Sequence, residues 1–311
     1  MTAALSVGHP TRRAVRPRES FRVRNRLALG YPFLVPALIF YLVVIIYPTV
    51  AGGVYAFTDW SAGGDQTSFV GLRNFLDLVH QLEARAALRN TLIIAVVCTL
   101  LQTAVGLALA VVLNTKLTSR NVLRTLFFVP ALLPSVIVAF LWQYILTPEG
   151  PLNQLFRGIG LGGLAGNWLG DQQLALGSVI AVIIWQNAGL TMVIYLAGLQ
   201  GIPAELYEAA ELDGASASRR LVHITLPQLM PATTIAMSLT LISSMKLFDQ
   251  VFVMTGGGPG YATQNLSVIM YKQAFVSGQY GSSAAVALVL CMIVFAFAML
   301  QMKALGRLGD R

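Results

Sequence analysis

Charge is scarce in this sequence. Of its 311 residues only 11% are Asp, Glu, Lys or Arg, while 56% are hydrophobic and mean hydropathy is +0.69. A soluble domain carries roughly 25% charged residues, so the chain has too few to cover a water-facing surface. Disorder and collagen-like structure are excluded by the same composition. Cysteine is scarcer still: Cys98 and Cys291 are the only two, both inside long apolar runs. A disulfide scaffold is therefore excluded, and plain apolar packing is the reading for both thiols. His9, His80 and His223 stand in three separate segments with no H-E-x-x-H and no cysteine pair beside them, so no metal site is expected. No G-x-x-x-x-G-K-[ST] phosphate loop occurs, so the chain does not hydrolyse ATP by that route.

Long charge-free stretches take the place of the missing charges. They run over 27–58, 90–115, 125–148, 172–204, 221–245 and 273–302. Each reaches the roughly 20 residues that a helix needs to cross about 30 Å of hydrocarbon. A seventh stretch, 250–271, contains Gly256-Gly257-Gly258-Pro259-Gly260 followed by Thr263, Gln264 and Asn265, and reads as a loop. The expectation is an all-α polytopic membrane protein with six transmembrane helices over residues 29–303. A cytoplasmic tail is expected at each end, 1–28 and 304–311.

The net charge of +8 is an orientation signal. Seven arginines crowd into the first 28 residues, and no basic stripe interleaves with aromatics as a nucleic-acid surface requires. With both termini in the cytoplasm, 15 of the 21 Lys and Arg residues fall on the cytoplasmic side and five on the other, with Lys246 inside a span. That is a positive-inside bias. The first apolar stretch exceeds the roughly 7–15 residues of a signal h-region, so it reads as a retained anchor behind a disordered basic tail.

Within the spans, polar residues are costly in lipid and turn inward. Asn187, Thr191 and Tyr195 recur every four residues with Gln186 beside them, so they share a helix face. Trp142, Gln143 and Tyr144 lie near the outer end of the third span, and Met237, Leu241 and Ser244 form a stripe on the fifth. Rings that stack on a sugar and amides that bond its hydroxyls suit an uncharged polyhydroxylated ligand. The competing role is to glue helices together. Lys246 and Asp249, three apart, are expected to neutralise each other. Pro130 and Pro134 are expected to kink the third span or free its carbonyls, and Ala104/Ala108 and Gly106/Ala110 to permit close helix contact. The glycine pattern 158–163 satisfies G-x-G-x-x-G, but no strand pattern flanks it, so it reads as a loop. No catalytic constellation of a Ser with a base, or of paired carboxylates, lies within the spans.

The segment 200–231 is different. It carries Glu205, Glu208, Glu211 and Asp213 and reads as two short cytoplasmic helices. Pro203 is suited to a helix start and Gly214 to its end. A second helix is expected over 215–225, with Pro227 at the junction to span five. Two helices fastened between two spans would form a lever; the competing reading, which composition alone favours, is a solvated connecting loop.

This segment resembles the EAA loop of binding-protein-dependent ABC importer permeases. Glu208-Ala209-Ala210, three residues, Gly214, nine residues and Ile224-Thr225-Leu226-Pro227 meet the pattern in full, with Asp213-Gly214-Ala215 as its usual extension. Phe57-Thr58-Asp59-Trp60, Asn90-Thr91, Pro130 to Pro134, and Phe248-Asp249 leading to Thr255-Gly256-Gly257-Gly258-Pro259 extend the resemblance over roughly 29–303. It is most similar to MalF/UgpA-type permeases of carbohydrate importers. The departure is Leu221, where many members carry an aromatic residue.

The resemblance implies a type I (MetI-like) permease fold in a bacterial or archaeal cytoplasmic membrane. It implies a second permease, two cytoplasmic ATPases that hold ATP and Mg, and an extracytoplasmic solute-binding protein, with no cofactor on this chain. Glu208 would pair with a basic residue of the ATPase, Ala209 and Ala210 would allow close approach, and Gly214 would supply the turn. Glu205, Asp213, Ala215, Ile224, Leu226 and Pro227 complete that coupling surface. Gly256, Gly257, Gly258 and Pro259 would face the binding protein. Trp142, Gln143, Gln186, Asn187, Thr191, Tyr195, Met237 and Ser244 are the substrate-pathway candidates. A sugar or oligosaccharide is the expected cargo, a sugar-phosphate the runner-up. A self-sufficient secondary transporter would need inverted repeats or paired buried acids, which are not evident.

Overall fold

The computed structural model describes residues 34–64, 67–115 and 118–309. The basic tail at 1–28 and the start of the first span lie outside them. The described residues fall into two compact units, 34–52 and 53–309. Helix α1, Leu34–Tyr55, supplies the first and runs three residues into the second; its mean hydropathy is 2.3. Its 22 residues reach about 33 Å, enough to cross a bilayer.

The second unit is all-helical among its described residues, apart from a single bridge between Thr58 and Phe69. Its long helices are α3 (Leu82–Leu113), α7 (Ala175–Gln200) and α13 (Tyr280–Gly309). A short α2 (Arg73–His80) precedes α3. Two further spans are broken. α4 (Arg120–Leu132) and α5 (Ser135–Ile145) meet at 98°, and α10 (Met230–Met245) and α11 (Asp249–Thr255) meet at 44°. Counting each bent pair once gives six apolar spans.

Several boundaries differ from the sequence reading. The third span is not one kinked helix: Pro130 stays inside α4, and the turn falls at Leu133–Pro134. The residue before a proline is driven out of the helical region, and Leu133 is extended at ψ 140°. Stretch 250–271 is a loop only over 256–265, because α11 precedes it and α12 (Leu266–Val276) follows. Gly256, left-handed at φ 61°, ends α11, and Asn265 Oδ1 caps α12 by accepting from Val268 N–H at 3.0 Å. α13 starts at Tyr280 rather than Gln273 and continues through Gly309, taking in most of the expected C-terminal tail. α3 begins eight residues before the apolar stretch, with Glu83, Arg85 and Arg89 in its outer turns.

The centre of the unit is α3 packed along α7 and α10. Gly106 meets Thr191 here: a Cβ on it would lie 2.7 Å from the threonine side chain. Of the small-residue pairs read from sequence, Gly106 and Ala110 are buried, whereas Ala104 and Ala108 are exposed. Apolar faces turned outward, such as Phe140 and Phe295, are what lipid contact requires.

The end of the unit that carries the loop 256–265 is fastened by side chains that satisfy loop carbonyls. Asn90 Nδ2 donates to the carbonyls of Tyr261, Ala262 and Gln264 at 3.0, 3.0 and 2.9 Å. Thr91 Oγ1 accepts from Leu266 N–H at 3.0 Å, and Asn265 Nδ2 donates to Leu247 O at 2.6 Å. Gln264 joins Glu83 to Lys272. In the preceding outer loop, Ser68 donates to both oxygens of Asp59 and holds its carboxyl below the usual range. Removing a buried amide donor leaves its acceptors unsatisfied at about 1–3 kcal/mol. Asn90→Ala is therefore expected to lower the apparent Tm of the purified protein by about 5 °C. Asn90→Asp should lower it further, since a carboxylate would face three carbonyl oxygens.

Candidate functional sites: an intramembrane cavity and a braced helix pair

The break between α10 and α11 opens a cavity of about 310 Å³ against α3, α5 and α7. Its polar wall comprises Gln102, Ser135, Asn187, Ser243, Ser244, Lys246, Asp249 and Gln250. Polar groups at this depth need partners, and a relay of amides supplies them. Leu133 O, freed where α4 ends, accepts from Gln186 Nε2 at 3.0 Å, and Gln186 Oε1 accepts from Gln250 Nε2 at 2.9 Å. Gln102, only 5% exposed, donates to Thr191 Oγ1 at 3.0 Å, and Asn187 Nδ2 donates to Ile183 O at 3.0 Å.

Lys246 and Asp249 do not pair. The ion pairs among the described residues are Arg73–Asp77, Arg157–Glu149 and Arg220–Glu211. Lys246 is the C-cap of α10 and Asp249 lies in the first turn of α11. Each charge thus sits at the helix end whose dipole favours it, and both are exposed on the cavity wall.

The substrate-pathway candidates divide. Asn187 and Ser244 line the cavity; Gln186 and Thr191 stand behind its wall, holding Gln250 and Gln102. Tyr195 is buried in the core with Ala110 and Leu229, and Met237 is half-buried off the wall. Trp142 lies edge-on to Trp185, centroids 5.2 Å apart, and lines a separate apolar cavity of about 330 Å³ with Trp168. Gln143 lines a vestibule of about 410 Å³ with Asn167, Thr255, Gly258 and Pro259. Of the four docking-loop candidates, Gly258 and Pro259 thus reach that vestibule and Gly256 and Gly257 do not line it, and the turn is tied down by a 2.7 Å bond between Thr255 and Thr263. Sequence reasoning does not single out Gln102, Ser135 or Gln250. Gln102 has a signal there, as the amide in the middle of a charge-free stretch; Gln250 is hidden by the loop reading.

The glycine pattern 158–163 follows the outer helix Pro151–Gly158 and ends in a 3₁₀ turn, with no strand beside it.

At the other end, α8 (Ala204–Leu212) begins at Pro203 with Glu205 in its first turn. Gly214 at φ 72° reverses the chain, and Ala215 N–H bonds Ala210 O at 2.9 Å, a Schellman-type closure. Ser216 then caps the next helix, α9, over 217–228. That helix passes through Pro227, which follows a π-helical turn over Leu221–Thr225, and breaks at Leu229 instead. Tyr207 bonds Thr225 at 3.0 Å, and Glu211 pairs with Arg220 at 3.4 Å, so α8 and α9 are cross-braced. Glu205, Glu208, Ala209, Asp213, Leu226 and Pro227 are exposed, while Ala210, Ala215 and Ile224 are half-buried. No residue of α8 is buried, and Leu212 is 91% exposed.

The family model described as binding-protein-dependent transport system inner membrane component matches residues 102–305. The chain is 39% identical over 284 residues to the probable ABC transporter permease protein YurN of Bacillus subtilis, covering 90% of this chain and 97% of the relative. It is 34% identical over 282 residues to the trehalose/maltose transport system permease protein MalF of Thermococcus litoralis, covering 88% and 92%. Among solved structures, a chain of a bacterial ABC transporter involved in import of the acidic polysaccharide alginate aligns with a TM-score of 0.81 at 24% identity, covering 92% and 98%. That likeness shows the shared MetI-like permease fold. The matched region holds the broken spans, the polar cavity and the braced helix pair together, and the chain belongs to the family of binding-protein-dependent transport system inner membrane components.

Proposed function

We propose that this chain is the substrate-conducting permease subunit of an ATP-driven importer that carries a sugar or oligosaccharide. The observation that carries the reading is α8: a short helix with no buried residue, ending in the fully solvated Leu212, yet braced to α9 and so to span five. An exposed acidic and apolar helix of that kind fits a cleft on a partner. Glu208 with Ala209 and Ala210 would dock in a cleft of one cytoplasmic ATPase, the second permease docking in the other. Glu205, Asp213, Gly214, Ala215, Ile224, Leu226 and Pro227 shape the docking surface. ATP and Mg belong to those ATPases.

Closure of the ATPases moves α8, and its brace to α9 passes the motion to α10 and the cavity. Alternating access follows if docking contacts differ between the two states. The cavity on this chain is one half of the pathway, the second permease supplying the other. The vestibule lined by Gly258 and Pro259 faces outward and receives cargo from an extracytoplasmic binding protein, which docks on the loop Gly256 to Pro259. Both termini face the cytoplasm of a bacterial or archaeal cell. Saccharide cargo is supported by the hydroxyl and amide wall at Gln102, Asn187, Ser244 and Gln250 and by the likeness to a trehalose/maltose permease.

Proteoliposomes holding this chain, its second permease and the ATPases, supplied with binding protein, are expected to take up labelled oligosaccharide only with ATP. Uptake by this chain alone, without ATP, would contradict the reading.

A further inference from the structure

The amides around the cavity are oriented, and the orientation is forced from outside it. Leu133 O is a backbone acceptor, so Gln186 must turn its Nε2 there, at 3.0 Å. Its Oε1 is then what Gln250 meets, so Gln250 must offer Nε2, at 2.9 Å, and is left with Oε1 for the cavity it lines. Asn187 gives Nδ2 to the backbone oxygen of Ile183 at 3.0 Å and keeps Oδ1. Thr191 Oγ1 donates to Asn187 O at 3.5 Å, so it accepts from Gln102 Nε2 at 3.0 Å, and Gln102 also keeps its oxygen. Three amides on one wall thus each spend N–H on the protein and keep an oxygen with no protein donor, while Asn187 and Gln250 retain one N–H apiece. The wall's one cation, Lys246, shares it with the Asp249 carboxylate, so the formal charges cancel.

From this arrangement we infer that the cavity selects cargo by its hydrogen-bond donors: it accepts uncharged, hydroxyl-rich saccharides and rejects sugars carrying a carboxylate or a phosphate. Hydroxyls can donate to carbonyl and carboxylate oxygens. An anionic group can only accept: it finds a few hydroxyl and spare amide donors, gains nothing from three amide oxygens that repel it, and must compete with Asp249 for Lys246. A buried anion without compensating donors is strongly disfavoured. This inference rests on the saccharide reading above and narrows it against the sugar-phosphate alternative.

The test is equilibrium binding to the whole importer complex in nanodiscs, read by saturation-transfer NMR without the binding protein. Maltotriose is the neutral probe; trigalacturonate and glucose 6-phosphate are the acidic ones. The wild-type complex is expected to bind maltotriose at least about tenfold better than either acid. Asp249→Asn, which leaves Lys246 uncompensated, should raise the acid-to-neutral ratio about tenfold, and Lys246→Gln should lower it. An acidic probe that binds as well as maltotriose, or a ratio that neither variant moves, overturns this inference and leaves the saccharide reading standing. Silence from all three probes overturns both.

Discussion

Gly189→Val is expected to abolish recovery of folded protein. A Cβ built at Gly189 would lie 2.0 Å from Phe127 O, 2.7 Å from Phe127 C and 2.8 Å from Phe128 Cα. Those are backbone atoms of α4, so no rotamer change relieves the clash and the helices must separate. Overpacking a core costs about 1–3 kcal/mol when side chains can yield; here they cannot. The contact also lies just before the 98° break, whose freed carbonyl at Leu133 depends on Gln186 of the same α7. Separating the helices would break that bond as well and leave buried polar groups exposed to lipid. Gly177→Ala is the control on α7, since an added Cβ there would meet nothing within 4 Å. Size-exclusion profiles in mild detergent check both: a monodisperse peak for Gly177→Ala, and aggregate or no protein for Gly189→Val.

Gly214→Asp is expected to cut ATP-driven uptake roughly 100-fold, the scale on which misplacing a group by about 1 Å acts, while the protein still inserts. Gly214 has open space around it but a φ of 72°. An L residue there costs about 1–2 kcal/mol, too little to unfold six spans. The added carboxylate sits at the C-terminal end of α8, where the helix dipole opposes it, and joins Glu211 and Asp213 nearby. The damage is local: it redirects α8 against α9 and spoils the surface offered to the ATPase. Membrane-fraction blots and labelled-sugar uptake separate the two effects. Normal uptake would refute the lever between α8 and span five.

How far the sequence can be read follows from the kind of signal each feature leaves. The spans are legible because lipid excludes charge, and the α8–Gly214 turn because proline and glycine punctuate helices at fixed places. The break at Leu133 is half legible: Pro134 marks it, but only the position of Gln186 in space shows that a carbonyl freed there is satisfied. α11 is hidden because its glycine-rich neighbour dominates the stretch. Lys246 and Asp249 sit at helical spacing on paper, and only the break between α10 and α11 reveals why they stay apart. The cavity needs three helices in register before Gln102, Asn187 and Ser244 can be seen as one wall.

On the proposed function, this chain works only within an assembly whose ATPase docks on α8. Tagging the chain, purifying it from its own membrane in mild detergent and assaying what comes with it tests this at once. Recovery is expected with a second permease and an ATPase whose hydrolysis rises when loaded binding protein is added, and loss of that ATPase in Gly214→Asp. Recovery of the chain by itself, active in transport, would contradict it.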